Sequence, residues 1–531
     1  MSASYAKHLS PSNVPQTEAL PGQVANSAGG FTFSLDPFKT LTRFLILGCE
    51  GGTYYAGERK LTLKNAECVL DCAKIDPART VDLIVSISEA GRAPKNDPAI
   101  FALALVASNG KLNAELKRAA KLALEALPRV CRIGTHLFQF VEAVNSLRGW
   151  GRGLKRAIGN WYLSKTPEQL AYQVTKYAQR NGWSHRDVLR LAHPQTKQRD
   201  LNGVLQYVTQ KEKWLASKAA GQRLLVTVEE AKTASITNLK RWIREEGLVR
   251  EHIPTERLGN KEIWEALLEN MPATAMLRNL AKMTSIELVA PLSSGTALVC
   301  ERLRDMEFLK KARVHPFSVL LALRTYMQGH GTLGSLTWTP VPQVVAALND
   351  AFYLSFGAIT PTNKRFLLGI DVSGSMSSAV QGSLVSCREA AAVMAMVAMR
   401  TEPQTHAFGF TNHFEDLGLH AGMDLKAVME GTCRRNFGST DCSVPMVHAL
   451  QHKIPVDVFC VYTDNETYAG RIHPHVALEN YRKNMGIDAK LVVFGMTATP
   501  FTIANPNDAG MLDVVGFDAA APEVVSEFVR N

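Results

Sequence analysis

The chain turns on Arg365–Met376, which reads RFLLGIDVSGSM. Phe366–Ile370 is a short apolar run, bounded by Lys364–Arg365 before it and by turn residues after it. Such a run reads as a strand buried on both faces of a parallel sheet. It delivers Asp371, Ser373 and Ser375 onto a loop in which Gly374 supplies a tight bend, and an Ala/Met/Val-rich helix follows. In open α/β sheets, ligands bind outside the carboxyl ends of the strands. One carboxylate and two hydroxyls are hard oxygen donors, a set that suits Mg²⁺ and not softer metals. Asp, Ser and Gly also crowd ordinary strand-to-helix turns, so the triplet alone does not decide for a metal.

Two further stretches add to it. Phe437–Asp441 (FGSTD) offers Thr440 on a polar loop, and Val456–Thr463 (VDVFCVYT) is a second buried strand that delivers Asp464. Hydroxyl ligands leave an ion less neutralised than carboxylates would, and Mg²⁺ retains waters that an incoming acidic group can replace. Asp371, Ser373, Ser375, Thr440 and Asp464 resemble, residue by residue, the metal-ion-dependent adhesion site of von Willebrand factor A-type domains. Around them, apolar runs at Phe366–Ile370, His406–Phe410, Val456–Tyr462, Lys490–Phe494 and Leu512–Phe517 alternate with helical segments. That alternation predicts a doubly wound α/β domain over residues 361–531.

The preceding residues have a different period. Residues 1–30, rich in Ser, Pro, Gly and Ala, read as an irregular tail, and residues 31–360 as helical throughout. Helix starts are marked by a capping residue before proline: Asp36-Pro37, Asp76-Pro77, Asp97-Pro98 and Thr166-Pro167. Starts recur roughly every 20 residues, the spacing of stacked HEAT-like helix pairs; an irregular all-α domain would share much of this pattern. Gly48–Gly57 (GCEGGTYYAG) looks like a phosphate cradle, but it lacks the lysine and reads as a loop.

The net charge of +10 is divided unevenly. Residues 361–531 carry 13 basic and 18 acidic side chains, leaving 46 basic and 31 acidic before them, so a polyanion-binding surface is expected in the first half. The densest patch is Arg148–Arg156 (RGWGRGLKR), where glycines let backbone approach phosphate and Trp150 could stack on a base. Gln169, Gln173, Lys176 and Arg180 fall on one helical stripe. After Asn181 a new helix starting at Ser184 sets Arg186, Arg190 and His193 along one side, with His185 in its first turn. Each of these is also what a solvated helix face looks like. Nine scattered cysteines without a C-x-x-C pair point to a reducing compartment, and a cytoplasmic protein without membrane spans is expected.

Six stretches resemble the Ro ribonucleoprotein family, a TROVE module followed by an A-type domain. They are FLILGCEGGTYYAGE (44–58), GWGRGLKRAI (149–158), TKYAQRNGWSH (175–185), DVSGSM (371–376), YTDNETYAG (462–470) and FTIANPNDAGMLDVVGFD (501–518). The resemblance implies a HEAT-like helical ring closed by the A-type domain. It implies a monomer that holds small structured Y RNAs on a basic outer surface and single-stranded 3′ ends of misfolded or partly processed RNAs in a central hole. Action in RNA quality control with an exoribonuclease, and no catalysis of its own, are expected with it. RNA contact is carried onto Lys155, Arg156, Lys176, Arg180 and His185, which lie in the matching stretches; the basic patches add Arg152, Arg186 and Arg190 as candidate RNA contacts, and Mg²⁺ is carried onto the five A-domain residues. In that reading the ion is structural or takes a carboxylate from a partner protein; the rival reading is an A-domain protein-interaction adaptor with divalent-metal-dependent partner binding, in which the helical half is scaffold. Neither a Ser/His/Asp triad nor a two-metal carboxylate cluster is legible, which leaves an enzyme least supported.

Overall fold

A computed structural model describes residues 13–48, 58–217, 223–331, 335–357, 359–380, 383–433 and 438–531. Residues 49–57 of the glycine-rich stretch, Phe437 of FGSTD, and residues 1–12 lie outside the described residues. The strands are β1 (Gln23–Ala25), β2 (Phe31–Ser34), β3 (Gln179–Arg180), β4 (Trp183–Ser184), β5 (Arg365–Asp371), β6 (Gln404–Phe410), β7 (Phe414–Asp416), β8 (Val458–Thr463), β9 (Lys490–Gly495), β10 (Phe501–Thr502) and β11 (Met511–Val515).

Among the described residues, helices run from Pro37–Leu47 to Pro342–Leu354, with the β3–β4 hairpin and non-helical connections between them. Their starts follow the capping logic. The Asp36 carboxylate accepts from the amides of Phe38 and Lys39, Asp76 from Arg79, and Thr166 forms a reciprocal capping box with Gln169. Asp97 departs from it. Asn96 stands at the cap without a side-chain capping bond, because its amide is used by Ser88 and the Val130 carbonyl, and Asp97 instead accepts from Gln139.

The C-terminal sheet has the order β11-β9-β8-β5-β6-β7, parallel except for β7. Side chains alternate across it: Phe366, Leu368 and Ile370 of β5 join one core, while Leu367 joins the other. The chain winds outward from β5 in both directions, so the crevice between β5 and β8 is the topological switch point. Edge strand β7 and the short β10 were not legible as apolar runs. Both are too short to show a period.

The A-type domain bridges the two ends of the helical array. On one side Arg43, wholly buried in the first helix, donates to the carbonyls of Thr499 (2.9 Å) and Phe501 (2.8 Å) and pairs with Asp513 of β11. Gly495 is required there, since a Cβ would stand 2.6 Å from the Arg43 guanidinium. Arg92 pairs with Asp518 at 2.5 Å. On the other side Asn349 accepts from the Leu425 amide (3.0 Å), and one continuous core runs from Val228 through the last helices to Val529. The array also touches itself, as His315 Nε2 meets the Arg92 carbonyl at 2.9 Å.

The described part of the tail has little regular structure, but it is tied down: β1 pairs with β2, and β2 pairs with β10 of the A-type domain. Its polar side chains bond to loops more than four hundred residues away, which no local periodicity reveals. Among the described residues no helix is long and apolar enough to cross a membrane.

Candidate functional site

The five oxygen donors of the A-type domain sit at the switch point. β5 ends at Asp371 and β8 at Thr463, and their parallel register brings Ile370 opposite Tyr462. Asp371 Oδ1 accepts from the Ser373 amide (2.9 Å) and Oδ2 from the Thr463 hydroxyl (2.7 Å). The Ser373 and Ser375 hydroxyls lie 3.0 Å apart, and Asp464 Oδ1 accepts from the Glu466 amide at 3.0 Å. The loop carrying Thr440 is tied to the one carrying Asp464: the amides of Tyr468 and Ala469 donate to the Thr440 carbonyl, and the Cys442 amide donates to Thr467 Oγ1.

All five side chains are buried, with exposures of 3% or less. Burial, then the neighbouring Asp464 carboxylate, pushes the Asp371 carboxyl up to about 7, and burial raises Asp464 too. Among the described residues, two buried oxygens of this set, Thr440 Oγ1 and Asp464 Oδ2, have no hydrogen-bond partner. Buried polar groups are normally satisfied. A pocket of hard oxygens with two orphans and two carboxylates therefore fits a small divalent cation held by Asp371, Ser373, Ser375, Thr440 and Asp464.

The basic residues of the helical half are arranged by a hairpin that the sequence did not yield at first reading. Asn181 (φ 51°) and Gly182 (φ 76°) occupy its two-residue turn, with Arg180 opposite Trp183. The stripe from Gln169 to Arg180 is therefore not one helical face. The helix stops at Lys176, Gln169 is used in the capping box and Gln173 accepts from the Gly134 amide (2.9 Å). The Asn-Gly pair was the signal that could have shown it.

The Trp150 and Trp183 rings meet at 6.0 Å, so the loop before Arg152 and the hairpin bearing Arg180 adjoin. Arg152 and Arg156 are exposed one turn apart on helix Arg152–Leu163, and Arg186 and Arg190 likewise on helix His185–Ala192, which packs against it. Among the described residues none of these five arginines has a carboxylate within ion-pairing distance, whereas Arg129, Arg244 and Arg304 are paired. Lys155 is half-buried. Lys176 is turned onto its own tyrosines, bonding Tyr172 Oη at 2.8 Å. Burial opposes its charge, but the Tyr172 bond and nearby groups leave its pKa raised.

His185 is corrected. It is 2% exposed, its Nδ1 lies 2.8 Å from Tyr162 Oη, and Phe138 and Trp161 flank the ring. Its Nε2 stands where a Cβ on Gly134 would come within 2.9 Å. Burial holds its pKa down to about 3, so it is a neutral core residue and not a surface donor to RNA.

An extended helical array closed by a von Willebrand A-type domain, with basic and aromatic side chains on the array, defines a narrow class of protein. The TROVE domain family matches residues 24–246 and 239–325, and the Ro60 vWA domain family matches residues 365–529. The chain is 41% identical to the RNA-binding protein RO60 of Deinococcus radiodurans, covering 98% of each, and 36% identical to that of Caenorhabditis elegans, covering 96% of this chain and 90% of the other. The crystal structure of the Deinococcus radiodurans RO (RSR) protein superposes with a TM-score of 0.67 at 39% identity, over 93% of this chain and 99% of that one. The chain belongs to the Ro60 family.

Proposed function

We propose that this protein binds RNA through the arginines of residues 152–190, and that its A-type domain carries a divalent cation. The observation that carries the RNA reading is the group Arg152, Arg156, Arg180, Arg186 and Arg190: exposed, with no carboxylate within ion-pairing distance among the described residues, and carried on the two packed helices and the hairpin that the Trp150–Trp183 contact joins. Guanidinium groups in that state bind phosphate, and the indoles offer faces for unpaired bases. The names of its relatives, and the surplus of 46 basic over 31 acidic residues before position 361, point the same way. The ligands we infer are small structured RNAs of the Y type on this outer surface and single-stranded 3′ ends in a central hole of the kind the family resemblance implies. The role is RNA quality control with an exoribonuclease, in the cytoplasm and as a monomer.

Burial of all five oxygen donors favours Mg²⁺ that braces the loops over an ion that bridges to a partner's carboxylate. Bound there, the cation would neutralise Asp371 and Asp464 and engage the orphan oxygens of Thr440 and Asp464. Filter binding of a structured RNA at 50 and 200 mM salt tests the first claim. Five phosphate contacts give a slope of roughly −4.5, or about a 500-fold loss across that range. Affinity indifferent to salt overturns it.

A further inference from the structure

Residues 13–34 precede the helical array in sequence but lie as a strap on the A-type domain. Gln16 is fully buried there. Its Nε2 donates to Asp441 Oδ1 and to the Ile472 carbonyl, each at 2.8 Å; its Oε1 accepts from Thr467 Oγ1 (2.6 Å) and the Gly470 amide (3.3 Å). The Gln16 amide donates to the Gly470 carbonyl at 2.9 Å, and Gly470 has no space for a side chain, since a Cβ would stand 2.3 Å from Gln16 Nε2. Ten residues on, Asn26 donates to the Thr467 carbonyl (2.7 Å), and the Ala28 amide reaches Glu466 Oε2 (3.0 Å). Asn26 Oδ1 holds the strap's own turn by accepting from the Gly30 amide at 2.8 Å.

These bonds have a common target. Asp441 follows Thr440 directly, and Thr467 lies three residues after Asp464. One glutamine side chain therefore ties together the two loops that carry the orphan oxygens. Neither Asp441 nor Thr467 is among the five oxygen donors, so the strap acts on the ion site through them.

We propose that Gln16 is a positioning residue for the divalent-cation site, so that seating of residues 13–34 and binding of the ion are thermodynamically coupled. The inference rests on the reading of Asp371, Ser373, Ser375, Thr440 and Asp464 as that site. Partners that orient metal ligands are worth 10–100-fold in affinity when removed. Coupling is reciprocal, so the ion must hold the strap as firmly as the strap holds the ion.

The test uses the full chain, Mg²⁺ titrated by calorimetry, and hydrogen exchange of the 13–34 peptide with and without Mg²⁺. Gln16→Ala is expected to weaken Mg²⁺ binding about 10–100-fold. Thr467→Val, which removes the hydroxyl that donates to Gln16 while leaving the sequence of residues 13–34 unchanged, should weaken it in the same direction. In the unaltered protein Mg²⁺ should slow exchange at the Gln16 and Phe31 amides. If the unaltered protein takes up no Mg²⁺, the ion-site reading falls. If it binds Mg²⁺ but both variants bind equally well and strap exchange ignores the ion, the ion site stands and the coupling is overturned. Should Gln16→Ala not fold, Thr467→Val and exchange in the unaltered protein decide alone.

Discussion

Arg43→Ala is the sharpest perturbation of the closed architecture. The side chain is wholly buried, and Asp513 is 5% exposed. Burial drives the Arg43 pKa down and the Asp513 pKa up, so each ion depends on the other to stay charged in that environment. Removing one partner of a buried pair costs about 3–5 kcal/mol, because the other is left desolvated and alone. The carbonyls of Thr499 and Phe501 also lose their donors, at about 1–3 kcal/mol each where water cannot replace them. These penalties overlap, and Asp513 can take up a proton, so about 4 kcal/mol is a fair total. For a unit of this size that is a fall in Tm of roughly 8–16 °C. The loss should be local: differential scanning calorimetry should show the transition splitting, and proteolysis should first cut where the first helix meets β10 and β11. Replacing the pair together, Arg43→Met with Asp513→Leu, should recover most of the stability, since an apolar pair leaves no orphan charge. An Arg43→Ala protein that melts within about 1 °C of the parent, as a single transition, would show that closure does not depend on this contact.

Other outcomes follow from the same geometry. Arg152→Ala with Arg180→Ala, and Arg186→Ala with Arg190→Ala, should each weaken RNA binding and reduce the salt slope in filter binding by roughly 2. His185→Ala should cost about 2–4 kcal/mol of stability through cavity formation, visible in thermal melts with or without RNA. The buried neutral imidazoles also set an acid limit. His185 and His315 have pKa values lowered to about 3 and about 4 by burial, against about 6.5 unfolded. The unfolded chain thus binds more protons in that window, so their contribution is complete above pH 6.5 and falls by roughly 4 kcal/mol for the two by pH 5, measurable by urea denaturation. Asp371→Asn should reduce Mg²⁺ uptake in calorimetry while RNA affinity stays within about twofold, because the arginines stand on the other half.

What the sequence disclosed followed the reach of its signals. Strands β5, β8 and β9 are buried on both faces, so each is a continuous apolar run and was read to within two residues. The five oxygen donors were legible because three of them share one loop and the others follow fixed neighbours in chain order. The hairpin at Asn181-Gly182 was also written locally, but the amphipathic stripe before it hid the turn. His185 misled for a physical reason. Its neighbours Arg186 and Arg190 advertise a surface, yet a helix with exposed arginines has a second face, and Val188, Leu189 and Ala192 share that face with the imidazole. The strap left no trace in local pattern, because Gln16 and Asn26 find their partners through chain separations above 400 residues.

The strap also changes what the boundary near residue 361 means. Composition, charge and period all switch there, which argues for two modules joined in series. Yet the second module takes Arg43 and Arg92 from the beginning of the first, pairs its β10 with β2, and shares an unbroken core with the first module's end. A sheet held from both ends of the array cannot shift without loosening the array. An ion bound at Asp371, Thr440 and Asp464, as proposed above, would therefore act beyond its own domain, through Gln16 to the strap and from β2 to the first helix. The A-type domain is better understood as the clasp of a closed helical band than as an appended binding module, and two wholly buried polar side chains, Arg43 of the first helix and Gln16 of the strap, sit where that clasp is fastened.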